Sequence, residues 1–104
     1  MITLKEIPSK EIIKGYHGRF IHMQNFTFAY WEVVAGAEIP IHSHVHEQMM
    51  QVIEGEFELT VNGDTQIYKP GMIVTIPSYV EHGGKAITAC KLTDIFCPVR
   101  EEYK

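Results

Sequence analysis

Two histidines one residue apart, His42-Ser43-His44, are the first candidates in the chain for binding or catalysis. Residues i and i+2 of a strand share a face, so both imidazoles would reach one point and could offer lone pairs to one ion. Two solvated histidines would show the same spacing, so the surroundings decide. Five residues separate Gly36 from His42, three separate His44 from Gln48, and six separate Gln48 from Gly55. A second set of landmarks follows: Gly71, five residues, Pro77, and then His82 within Val80-Glu81-His82-Gly83-Gly84. His46 continues the alternation of His42 and His44 but lies where the chain should turn, which suits a supporting or rim position better than ligation. His17 and His22 are isolated and are expected to be solvated or structural.

The last apolar run, Cys90 to Arg100, is the second place where chemistry shows. With period two, Cys90, Leu92, Asp94 and Phe96 share a face opposite Lys91, Thr93 and Ile95. Lysine belongs outside, so Asp94 should point inward among apolar neighbours, where a carboxylate is costly unless it is paired or used. Three fates are open to it: an ion pair with Arg100, a hydrogen bond to a tyrosine, or service as an acid–base group facing a cavity.

The segments carrying these groups read as strands. Only the first dozen residues, with Pro8-Ser9-Lys10-Glu11 as a cap, could form one helical turn. From Gly18 onward short β-rich runs follow one another: Arg19–Gln24, Phe26–Ala35, Ile39–His44, Met49–Glu54, Phe57–Val61, Thr65–Tyr68, Ile73–Ile76 and Ala86–Cys97. Turn residues punctuate them at Gly36, Gly55, Asn62-Gly63-Asp64, Pro70-Gly71, Pro77-Ser78 and Gly83-Gly84. Asn62-Gly63 between alternating runs predicts a hairpin, because both residues tolerate the positive φ of such turns. Phe57, Leu59 and Val61 should face inward, with Glu56, Glu58 and Thr60 outward. Evenly spaced short strands predict an all-β sandwich or barrel over residues 18–104, with residues 1–17 as a lead-in. Which of Phe26, Phe28, Tyr30 and Trp31 line its interior stays open.

One compact domain is all that 104 residues can build, and 45% hydrophobic residues suffice for its core. A formal charge of −4 with no basic stripe argues against a nucleic-acid partner. No apolar stretch approaches the ~18 residues of a membrane helix. The first six residues lack a signal-peptide profile, so a cytoplasmic location is expected. If Cys90 and Cys97 share a strand, they stand about 23 Å apart, beyond the reach of a disulfide, and two free thiols are expected.

The spacing from Gly36 to Ala86 resembles the two conserved motifs of the cupin superfamily. The first is Gly, five residues, His-x-His, three or four residues, Glu, six residues, Gly; the second is Gly, five residues, Pro-x-Gly, two residues, His, three residues, Asn. The stretch from Glu56 to Pro70 matches the short connection of the smallest cupins. The resemblance implies a single-domain jelly-roll β-barrel, a homodimer, and one divalent metal ion (Zn, Ni, Fe, Mn or Cu) facing the interior on His42, His44, Gln48 and His82. Three departures stand out: Gln48 for the family glutamate, Tyr79 for the glycine after Pro77, and Ala86 for the final asparagine. Neutral imidazoles with a neutral amide leave the ion's charge uncompensated, which favours Lewis acidity and anionic substrates.

A closer resemblance covers Gly18 to Tyr103. His42 through Gln48, Glu54-Gly55-Glu56-Phe57, Pro77 through Gly84, and Asp94-x-Phe96 followed by Pro98-x-Arg100-Glu101-Glu102-Tyr103 look like the KdgF group of small cupins. That group opens 4,5-unsaturated uronates to linear ketonised sugars in pectin and alginate breakdown. The resemblance implies Asp94, Phe96 and Arg100 as catalytic residues and an anionic sugar as the small-molecule substrate. Small cupins with three histidines and a glutamine are also similar to metal-dependent polyketide cyclases. An iron dioxygenase and a non-catalytic metal or ligand binder are the other readings.

Overall fold

The computed structural model describes residues 1–104. Ten strands follow one another: β1 (Lys10–Ile13), β2 (Tyr16–His22), β3 (Thr27–Val33), β4 (Glu38–His42), β5 (Glu47–Glu54), β6 (Phe57–Val61), β7 (Asp64–Tyr68), β8 (Ile73–Ile76), β9 (His82–Ala86) and β10 (Cys90–Cys97). They form two antiparallel sheets, one ordered β1-β2-β3-β10-β5-β8 and the other β4-β9-β6-β7. The apolar core lies between the two sheets. Alternation places it there: β3 buries Thr27, Ala29, Trp31 and Val33, and β10 buries Cys90, Leu92, Asp94 and Phe96. The all-β expectation and the inward face of β10 both hold, and Cys90 and Cys97 are free thiols.

Asn62-Gly63 makes the expected two-residue hairpin between β6 and β7, with positive φ at both positions (49° and 81°). Elsewhere the elements differ from their sequence reading. The helical turn is a 3-10 turn at Leu4–Glu6, while Lys10 and Glu11 begin β1 rather than cap a helix. Residues of the expected lead-in therefore join the six-stranded sheet, and Tyr16 of β2 is buried in the core.

The long run Ala86–Cys97 divides into β9 and β10, and the supposed turn Gly83-Gly84 lies inside β9. Close approach of the neighbouring strands explains these glycines, not a bend. A Cβ on Gly83 would stand 2.8 Å from the Ile39 carbonyl oxygen, and one on Gly84 would stand 2.7 Å from that of Glu58. With β4 on one side and β6 on the other, only glycine leaves room.

Candidate metal centre

The two sheets bring the histidines and Gln48 together from opposite sides. His42 ends β4 and stands opposite His82, the first residue of β9. Gln48 lies near the start of β5, opposite Phe96 of β10. His44 lies past the end of β4, in the connection to β5, so the shared-strand argument does not apply to it. Local hydrogen bonds hold it instead: its carbonyl accepts the Tyr79 N–H at 2.8 Å, and its Nδ1 donates to the His46 carbonyl at 2.9 Å. One ring nitrogen from each of His42, His44 and His82 lies within 4.8 Å of the other two.

Each ring is held in one tautomer. Nδ1 of His42 meets the Pro40 carbonyl at 2.8 Å, and Nδ1 of His82 meets the Val80 carbonyl at 2.9 Å, as His44 does with His46. A ring whose Nδ1–H is given to a carbonyl presents Nε2 as a bare lone pair. Burial pushes the His82 imidazole down to about 4, and burial followed by the charge of Arg100 lowers that of His44. Both rings are thus neutral at physiological pH. Gln48 Oε1 stands 3.2 Å from His44 Nε2, so two acceptors face each other. Converging lone pairs with no hydrogen between them fit a cation. The three-histidine group is able to bind a metal ion, and imidazole donors do not by themselves select which.

Asp94 sits beside this group. Its Oδ2 accepts the Trp31 Nε1–H at 2.9 Å, and its Oδ1 accepts the Gln48 Nε2–H at 3.0 Å. Burial pushes its carboxyl up from 3.8 to about 7, against the lowering by those two hydrogen bonds and by Arg100. Neither sequence-based pairing forms: Arg100 gives its Nε to Glu102 at 3.0 Å, and no tyrosine reaches the carboxyl. The guanidinium packs against two rings, 4.7 Å from the Phe96 centroid and 4.3 Å from that of Tyr103. Its terminal nitrogens have no protein acceptor. Asp94, Arg100, Phe96 and the histidines line one cavity of about 350 Å³, within the usual range for small-molecule sites.

A family model described as "Cupin domain" matches residues 29–96. The chain is a cupin. No curated protein matches it by sequence. Among solved structures, it is similar to an RmlC-like cupin from Shewanella frigidimarina NCIMB 400, at 28% identity over 96% of this chain and 91% of that one, with a TM-score of 0.92. It is similar to KdgF from Halomonas sp. at 23% identity, covering 96% and 94% of the two chains, with a TM-score of 0.90. The polyketide cyclase RemF from Streptomyces resistomycificus is 22% identical, with 93% and 78% covered and a TM-score of 0.82. At these identities the last two likenesses show the shared fold.

Within the cupin barrel, two departures from the family motifs have visible consequences. Tyr79, where the family carries glycine, adopts φ of 64°, a region that costs an L-residue roughly 1–2 kcal/mol. Ala86 is fully buried in β9 opposite Phe57. His46 is buried, with Nε2 on the Val99 carbonyl at 3.2 Å, and its own carbonyl fixes the His44 tautomer. His17 pairs with Glu11 at 3.3 Å and His22 bonds Thr27 at 2.8 Å, and neither lines the cavity. Trp31, Glu102 and Tyr103 are among the cavity residues to which the sequence reading gave no role. A signal existed for Trp31: on the buried face of β3, its indole N–H needed a buried acceptor.

Proposed function

We propose that this cupin is a metal-dependent enzyme that opens the ring of a 4,5-unsaturated uronate to a linear, ketonised sugar acid. One observation carries the reading. A buried carboxyl and a guanidinium share a cavity, yet each is held by other partners: Asp94 by the neutral donors Trp31 and Gln48, Arg100 by Glu102 and two rings. A carboxyl held apart from its cation is free to move protons, and a cation held apart from the carboxylate is free to bind an anion.

His42, His44, Gln48 and His82 would hold the ion, which when bound supplies a Lewis acid for the sugar oxygens. Asp94 accepts the proton of the anomeric hydroxyl as the bond between C1 and the ring oxygen breaks. The electrons of that bond stay on the ring oxygen, which becomes an enolate oxygen, and return of the proton from Asp94 to C4 gives the ketone. The change is an isomerisation and needs no co-reactant. Arg100 receives the substrate carboxylate through its free terminal nitrogens. Phe96 packs its ring against the guanidinium and excludes water. Incubation with an unsaturated uronate should remove the absorbance of its conjugated double bond. Asp94→Asn should abolish that loss while metal content stays unchanged; undiminished turnover would remove Asp94 from the mechanism.

A second reading draws on the apolar part of the cavity wall. Phe57, Leu59 and Leu92 line it, and both the Trp31 N–H and the Tyr16 hydroxyl are already engaged, the latter with the Ala37 carbonyl at 2.9 Å. That wall suits an aromatic polyketide cyclised at the same centre, and turnover of a polyketide but not of a uronate would favour it. An iron dioxygenase would instead consume oxygen, and a simple binder would turn over none of these compounds.

A further inference from the structure

We propose that Gln48 is a positioning residue for Asp94, and that an amide stands at position 48 because its N–H must hold the Asp94 carboxyl while its carbonyl faces the metal centre. The proposal rests on the metal-dependent reading of the site and adds a second duty for one of its proposed ligands. The sheet register sets the geometry. Gln48 of β5 stands opposite Phe96, one inward step along β10 from Asp94, and Trp31 of β3 stands opposite Leu92, one inward step the other way. Both are diagonal neighbours of Asp94, from the two strands that flank it, and their long side chains span the diagonal. Each carboxyl oxygen receives one donor: Oδ1 from Gln48 at 3.0 Å and Oδ2 from Trp31 at 2.9 Å. Two donors arriving from opposite sides fix the plane of the carboxyl.

The two ends of the Gln48 amide are not interchangeable here. Its oxygen faces His44 Nε2, a bare lone pair, and its nitrogen faces a carboxyl oxygen. A glutamate, the residue of the family motif, could still offer an oxygen to a metal ion. With both carboxyls ionised there is no hydrogen for Asp94, so two acceptor oxygens would meet about 3 Å apart, and a buried acceptor without a donor is destabilising. The departure from the family motif at position 48 and the inward aspartate on β10 are therefore one feature.

A double-mutant cycle tests this on the whole chain. Gln48→Glu, Asp94→Asn and the double variant are compared with wild type, stripped with chelator, by thermal unfolding in alkaline buffer. Gln48→Glu should lower Tm by roughly 10 °C. In the double variant the amide introduced at position 94 can give its N–H to the carboxylate introduced at position 48 and accept from Trp31, so at least half of that loss should return. Zinc content after reloading is the second readout: Gln48→Glu should keep zinc and substrate KM while kcat falls at least tenfold. Additive Tm changes, with the double variant shifted by the sum of the two single shifts, would overturn the positioning role. So would a Gln48→Glu enzyme with unchanged kcat. Wild-type protein that takes up no zinc or other divalent ion would overturn the metal reading instead, and would leave the cycle to be judged by Tm alone.

Discussion

Replacing Asp94 by asparagine should change how stability depends on pH, in a direction that the burial of this carboxyl dictates. Asp94 is held at about 7 in the folded chain against 3.8 when free. A group whose folded pKa is raised binds its proton more tightly in the native state. Its contribution is complete at low pH and is lost as pH rises through the folded value. The interval from 3.8 to about 7, at ~1.4 kcal/mol per pH unit, corresponds to roughly 4 kcal/mol. His82 works in the opposite sense. Its imidazole is depressed from 6.5 to about 4, so its contribution is present above 6.5 and lost as pH falls, about 3 kcal/mol over much the same window. The two oppose each other over this window, and the depressed imidazole of His44 acts in the same sense as His82. Asp94→Asn removes one of the opposing effects. Urea unfolding of both metal-free proteins should show the variant gaining on wild type as pH rises, by up to roughly 4 kcal/mol at pH 7.5. A stability difference independent of pH would refute the desolvated carboxyl. One that moves against the variant as pH rises would show that Asp94 is stabilised as an anion, as an Arg100 pair would require.

Three further outcomes follow from the same geometry. His82→Ala should lose the bound ion by elemental analysis, and the rise in Tm that metal gives wild type should vanish with it; metal at a thousand times its Kd is worth about 4 kcal/mol. Gly84→Ala drives a methyl to within 2.8 Å of both the Glu58 carbonyl and the Phe57 ring and should cost roughly 3 kcal/mol or more, whereas Gly63→Ala, with open space but φ of 81°, should cost ~1 kcal/mol by chemical denaturation. Tyr79→Gly relieves a positive φ of 64° on a side chain that is 69% exposed, and thermal unfolding should show it no less stable than wild type, with a gain of up to ~1 kcal/mol.

Much of the site was legible from local pattern because strand periodicity is local. Period two alone turns Leu92, Asp94 and Phe96 inward, and all three are buried. Asn62-Gly63 specifies its hairpin through the φ values those two residues tolerate. Spacing singled out His42, His44 and His82, which converge. His44 shows the limit of that reasoning: it joins the group from a connection, where carbonyls of the surrounding turns orient it and strand pleat has no say. Gly83-Gly84 shows another, since a glycine required by close strand packing has the same letter as a glycine required by a turn.

The order of residues along the chain is enough for the inward faces, the hairpin and the histidine spacing, because each depends on neighbours a few positions away. Who holds whom was settled by the folded barrel alone. Trp31 and Gln48 lie 63 and 46 positions from Asp94, and they reach it because β3 and β5 both pair with β10 in one register. Arg100 is two residues from Glu102 and is clamped by rings from β10 and the C-terminal turn, which takes it out of the ion pair that proximity in sequence suggested. Partner choice in a β-barrel is a property of long-range register, and register is an outcome of the whole fold.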